Sequence, residues 1–128
     1  MTAQPSASEQ YRAVRVAIGT HSGARVSEHF GQATRFEIWE VRPAGWRLLE
    51  TRVNRPACGS GCDRADELME ASVAAVADCR AVVVASIGEC ALNRLGALGI
   101  LAFETNDPVE ATVRQLASYA ALFEREKA

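Results

Sequence analysis

The spacing of apolar residues changes several times along this chain, and each change marks an element. Over Val14–Gly19, "VRVAIG", apolar residues alternate with others, the period of a strand. Residues 34–41 alternate again, with Phe36 and Ile38 on one face and Trp39 and Val41 on the other. Pro43, Ala44 and Gly45 make a turn, and 46–53 reads as a polar-leaning return strand, so the two pair as a hairpin. Residues 54–62, "NRPACGSGC", are a loop dense in turn formers.

From Asp63 the spacing becomes helical. Ala65, Leu68, Met69, Val73 and Val76 share a face, with Asp63 as N-cap and Asp66 and Glu67 in the first turn. "RAVVVASIG" is a continuous apolar run, expected of a strand covered on both faces. A short helix follows through Leu92, Leu95 and Leu98 and is ended by Gly99. "ILAFET" predicts another buried strand. The last helix opens at "DPVE", with Asp107 as N-cap, Pro108 at the first helical position and Glu110 closing a capping box. Val109, Val113, Leu116, Ala117, Ala120 and Phe123 form its apolar stripe.

The predicted order is βββαβαβα: an α/β fold with a mixed sheet of about five strands and helices on both faces. Right-handed crossovers place the final strands parallel to the first. One domain is expected over 13–126, preceded by a flexible tail over 1–12, with no internal repeat and no second domain.

Composition narrows the functional classes. The 128 residues are 48% hydrophobic and 23% charged, with a net charge of −2. A near-neutral chain has no broad basic field, which argues against a nucleic-acid partner. The longest apolar run, around residues 81–87, falls far short of the roughly 20 residues that span a bilayer. The N-terminus, "MTAQPSASEQYR", lacks the apolar core of a secretory signal, so a cytoplasmic location is expected. Four cysteines in such a compartment are buried small hydrophobes, reactive thiols or metal ligands rather than a disulfide framework.

Three loops carry metal-capable side chains: His21 and His29, then Cys58 and Cys62, then Cys90 in "SIGECAL". Thiolates with imidazole favour iron–sulfur species, copper(I) or zinc over magnesium or calcium. Each has a plain alternative. His29 at a strand entrance can simply hydrogen-bond its turn. Cys58 and Cys62 stand at Cys-x3-Cys spacing with no second pair to complete a zinc site. Nor is it a radical-SAM signature, since the third cysteine would fall at Ala65. Cys90 at a helix start is either a thiol of lowered pKa or packing, and Cys79 before a core strand reads as packing. Glu28, Glu37, Glu40 and Glu50 look like solvated strand faces, and Glu89 is a lone loop acid. No catalytic triad order, phosphate loop or dinucleotide fingerprint is present, so the chain is expected not to be an enzyme.

Taken together, "VRVAIGTHSGARVSEHFGQATRFEIWEV", "CGSGC", "VVVASIGECALNRLGALGI" and the closing amphipathic helix resemble the nitrogenase iron–molybdenum cofactor biosynthesis domain. This is the family of the NifX/NafY group and the C-terminal domain of NifB. The resemblance runs over about 14–123, and its most specific element is the His-Phe-Gly entrance to an aromatic-rich strand; "IGEC" and "LGALGI" look most like the version appended to NifB. It implies a single-domain ribonuclease-H-like fold and a non-catalytic carrier that binds an iron–sulfur precursor, of the NifB-co or FeMo-co type, during cofactor assembly. His29 inherits the family's ligating histidine, and Cys58 and Cys90 match positions where NifB-like members place cysteine. Cys62 and His21 are looser matches. Gly31 would let a bulky cluster approach the backbone.

Such cofactors are anionic, so Arg25, Arg35 and Arg94 near these loops are the expected cationic contacts. The expected partners are nitrogenase cofactor assembly proteins of the NifB/NifEN type or apo-nitrogenase, with a homodimer left open. A free-standing version without the radical-SAM domain of NifB is expected. The competing readings are a thiol redox sensor built on Cys58 and Cys62, and a module that docks on nitrogenase or its assembly machinery without touching the cluster. A nuclease is excluded because these strands do not offer the clustered carboxylates that hold two metal ions.

Overall fold

The structure, a computed structural model, describes residues 13–43, 45–54 and 65–119. Five strands form one sheet: β1 (Val14–Gly19), β2 (Arg35–Arg42), β3 (Gly45–Val53), β4 (Ala81–Val84) and β5 (Leu101–Glu104). Three helices accompany them: α1 (Ala65–Ala75), α2 (Glu89–Ala97) and α3 (Val109–Ser118). A 3-10 turn at Phe30–Gln32 lies between β1 and β2. The spatial order is β3-β2-β1-β4-β5. β1, β2 and β3 are successively antiparallel, whereas β4 runs parallel to β1 and β5 parallel to β4. The tail 1–12, Ala44, the loop holding Cys58 and Cys62, the Asp63 cap, and the end of the last stripe at Ala120 and Phe123 lie outside the described residues.

Period-two alternation sends each central strand's side chains to both faces, and both are covered. Val14, Val16 and Ile18 of β1 join Val41, Val83 and the α3 stripe of Val109, Val113, Leu116 and Ala117 in one core. Ala17 joins Phe36, Ile38, Val82 and Val84 in the other, closed by Val73 and Val76 at α1 and by Ala91 and Leu95 of α2. Phe36 and Ile38 therefore face one core while Val41 and the half-buried Trp39 face the other, as the alternation requires.

Gly99 ends α2 as expected. It takes the left-handed conformation at φ +77. Its N–H reaches the Gly96 carbonyl at 3.0 Å, and Ile100 N–H reaches the Leu95 carbonyl at 2.9 Å, which completes a Schellman closure.

Four local expectations are corrected. β5 is an edge strand, with Phe103 39% exposed, because no strand among the described residues pairs beyond it. A groove of about 550 Å³ between β5 and α3 follows, lined in part by Leu101, Phe103, Leu116 and Tyr119. Leu92 and Leu98 are exposed, since Ala91 and Leu95, four apart, turn α2 toward the sheet. The cap of α3 is Pro108, not Asp107, and no side chain caps it. The Ala24 carbonyl takes the Val109 N–H at 2.9 Å, so a neighbouring loop satisfies the donor a capping side chain would have served. Glu37 is buried at 5% exposure, its carboxylate accepting from Trp39 Nε1 at 3.0 Å and pairing with Arg35 at 3.3 Å.

Candidate functional site

Strand direction decides which loops can meet. Gly19 lies opposite Phe36 and Arg35 opposite Val53, so β1 and β3 end where β2 begins. Parallel pairing puts the ends of β4 and β5 at the same edge. The β1–β2 loop, the β4–α2 loop, the β5–α3 loop and Asn54 at the end of β3 therefore share one end of the sheet, the usual place for function in α/β folds.

The β1–β2 loop is the hub of this end. Ser27 and Glu28 donate their N–H groups to the Gly19 carbonyl at 3.1 and 3.3 Å, folding the loop back on β1. Glycine is required there: a Cβ on Gly19 would lie 2.9 Å from Val84 Cγ1 and 3.1 Å from Glu28 Cβ. Thr20 closes the tip by donating its hydroxyl to the Arg25 carbonyl at 2.6 Å and accepting the Gly23 N–H at 2.9 Å. Toward β5, Val26 N–H meets the Asp107 carbonyl at 3.0 Å. Toward β4, Phe30 N–H meets the Ser86 carbonyl at 2.9 Å, and Ala85 N–H meets the Glu28 carbonyl at 2.8 Å. Glu28 is thus not a solvated strand residue; its carboxylate takes the Thr34 N–H at 3.0 Å and closes the turn that carries His29.

His29 stands half-buried at the head of the 3-10 turn, in a parallel bridge with Ser86. Its Nδ1 lies 2.7 Å from Ser86 Oγ. Phe30 beside it is fully buried, its ring 5.7 Å from that of Phe36. The aromatic of the His-Phe-Gly motif is therefore a core anchor that fixes the histidine's backbone. Gly31 is itself buried, so it serves the packing of the turn and does not offer its backbone to a ligand.

Cys90 is exposed in the first turn of α2, four residues after Ser86. The packing alternative for Cys90 is thereby removed. Asn54, from which the segment with Cys58 and Cys62 departs, is buried at the same end. It donates to the Ala33 carbonyl at 2.9 Å and to Ser72 Oγ at 3.0 Å. Cys79 is buried before β4, at the opposite end of the sheet from Cys90, and burial pushes its thiol up to about 12. A cavity of about 670 Å³ lined by Arg15, Asp78, Cys79 and Arg80 also opens at that opposite end, away from His29 and Cys90.

The three arginines differ in what they already hold. Arg25 is exposed and donates to the Asn106 carbonyl at 2.7 Å. Arg35 is paired with Glu37 and donates to the His21 carbonyl at 3.3 Å, which tethers the loop tip. Arg94 lies further along α2 and pairs with Glu70 of α1 at 2.9 Å. Among the described residues, no three His, Cys, Asp or Glu side chains are grouped to hold a metal ion. Ser86 escaped sequence reading, and Glu37 reads there as a solvated strand face: a serine in "ASIG" and an acid in an alternating strand carry no local mark of their partners.

Residues 12–119 match the model of a protein family described as dinitrogenase iron-molybdenum cofactor. The chain belongs to this family. It is similar to the FeMo cofactor biosynthesis protein NifB of Herbaspirillum seropedicae, with 40% identity over 66% of this chain and 16% of that protein. The NifB of Sinorhizobium fredii matches at 33% identity over 80% of this chain and 21% of its own length. The chain thus spans about one fifth or less of these relatives. Among solved structures it resembles PH0822, with a TM-score of 0.62 at 17% identity, covering 80% of this chain and 89% of that one. The mj0327 protein of Methanocaldococcus jannaschii matches at a TM-score of 0.56 and 15% identity, over 84% and 91% of the two chains. These likenesses show a shared fold. No helix among the described residues is long and apolar enough to cross a membrane.

Proposed function

We propose that this domain is a non-catalytic carrier that takes part in iron–molybdenum cofactor biosynthesis by binding an iron–sulfur precursor of the NifB-co or FeMo-co type. The observation that carries the reading is the convergence at one end of the sheet of a half-buried imidazole, His29, in the β1–β2 loop and an exposed thiol, Cys90, in the first turn of α2, whose preceding loop is bonded to the histidine's through Ser86. An imidazole nitrogen and a thiolate suit iron in a sulfur-rich cluster. Family membership supports the same reading.

In this proposal the cluster is cargo. His29 supplies a neutral nitrogen, Cys90 a thiolate, and Cys58 and Cys62 further sulfur from the segment that leaves Asn54. Arg25 is the cation placed to answer the cargo's negative charge, with Arg35 and Arg94 contributing field from within their ion pairs. The donors and acceptors of the cargo would be assembly proteins of the NifB/NifEN type or apo-nitrogenase, met in the cytoplasm. The sheet order β3-β2-β1-β4-β5, with three antiparallel strands followed by two parallel ones, supports a ribonuclease-H-like assignment.

The test is anaerobic reconstitution of the full chain with ferrous iron and sulfide, followed by iron and sulfide analysis and cluster transfer to an apo acceptor. A cluster retained by the wild type and lost from His29→Ala and Cys90→Ala, both still folded, is the expected result. A colourless protein that only changes mobility on oxidation would favour the thiol-sensor reading.

A further inference from the structure

An imidazole offers a metal one nitrogen at a time, and the partner of the other nitrogen decides which one carries the proton. In His29, Nδ1 is engaged by Ser86 Oγ at 2.7 Å, whereas Nε2 has no partner among the described residues. We propose that Ser86 is the positioning residue for His29: its hydroxyl accepts the Nδ1 proton and leaves Nε2 as the bare nitrogen for the cargo.

Ser86 is held for this contact. Its backbone bridges His29, its carbonyl takes the Phe30 N–H at 2.9 Å, and the Ala85 N–H before it meets the Glu28 carbonyl at 2.8 Å. On the histidine side, Phe30 is wholly buried and Glu28 closes the turn through Thr34. Both backbones are therefore fixed, and the ring's setting rests on the hydroxyl. A neutral imidazole has one proton to place. If it sits on Nδ1 and points to Ser86 Oγ, the exposed hydroxyl keeps its own proton for water, and Nε2 keeps its lone pair. If the hydroxyl donates instead, the proton sits on Nε2 and must move before that nitrogen can coordinate. The inference rests on the carrier reading for its purpose, but the tautomer belongs to the free protein and is measured there.

The experiment uses the full chain with 15N-labelled histidine and no metal. Long-range proton–nitrogen NMR is recorded at about pH 8, above the ordinary histidine range, with His21 as internal reference. The expected result is a protonated Nδ1 on His29, loss of that preference in Ser86→Ala, its recovery in Ser86→Thr, and an unchanged His21. After reconstitution with ferrous iron and sulfide, Ser86→Ala should retain the cluster about 10- to 100-fold more weakly, and Ser86→Thr should restore it. A wild-type His29 protonated on Nε2 overturns the proposal and leaves the carrier reading, tested by His29→Ala, standing. A lost Nδ1 preference with unchanged cluster retention overturns the positioning role.

Discussion

Arg52 grips Asp78 with both ends of its guanidinium, Nη1 to Oδ1 at 2.8 Å and Nη2 to Oδ2 at 2.9 Å, tying β3 to the turn before β4. Arg15 adds a further bond to Asp78 at 2.9 Å. The Arg52 fork holds the Asp78 carboxyl well below the usual carboxylate range. A depressed folded pKa contributes stability that is present above the unfolded value and lost as pH falls toward the folded one. Asp78→Asn should therefore cost about 1 kcal/mol at neutral pH, a modest figure because the carboxylate is 42% exposed. The difference from wild type should shrink below about pH 4. Urea unfolding at neutral pH and in steps from about pH 5 down to about pH 2, where the linkage acts, reads both.

Gly19 and Phe30 test the scaffold of the candidate site. Gly19→Ala pushes a methyl against Val84 and Glu28, and should cost about 1–3 kcal/mol while loosening the β1–β2 loop. Phe30→Ala empties a fully buried site and should cost about 3–5 kcal/mol. His29→Ala, beside it, loses one side-chain hydrogen bond and should cost no more than about 1.5 kcal/mol. Thermal or urea denaturation of the three variants ranks them; a His29→Ala loss as large as that of Phe30→Ala would make the histidine a structural residue.

Thiol reactivity should separate the two described cysteines. Cys90 is exposed, whereas Cys79 is buried with its thiol pushed up to about 12. Since the thiolate is the nucleophile, iodoacetamide should label Cys90 in the native protein and Cys79 only on unfolding. Peptide mass spectrometry gives the readout, and rapid native labelling of Cys79 would contradict its place in the core.

Arginine replacements should split stability from binding. Arg35→Leu leaves the buried Glu37 without its cation and should cost about 1–3 kcal/mol. Arg25→Leu touches only an exposed carbonyl contact and should leave the melting temperature nearly unchanged. If the cargo is anionic, Arg25→Leu should nevertheless weaken retention of a reconstituted cluster, more so at low salt. Unchanged retention at every salt concentration would remove Arg25 from the site.

Period and turn chemistry determined the elements of this protein. Alternation marked β1 and both faces of β2, helical spacing marked three helices, and Gly99 marked the end of α2, because each of these follows from neighbours in sequence. What depends on distant partners was decided by tertiary structure. "ILAFET" is as apolar as a core strand, yet it became an edge because no strand among the described residues pairs beyond it. Asp107 is a good cap by type, but the Ala24 carbonyl reached the Val109 donor first. Glu37 looked solvated until Trp39, Arg35 and the loop at Gly23 closed over it. His29 and Cys90 were legible as candidates from residue type and motif. Their meeting at one end was not, because it follows from β1 and β4 lying parallel and from the bond between His29 and Ser86, residues 57 apart in the chain. Local preference acts over a few residues, whereas a site assembled from loops exists only after the sheet has set their order.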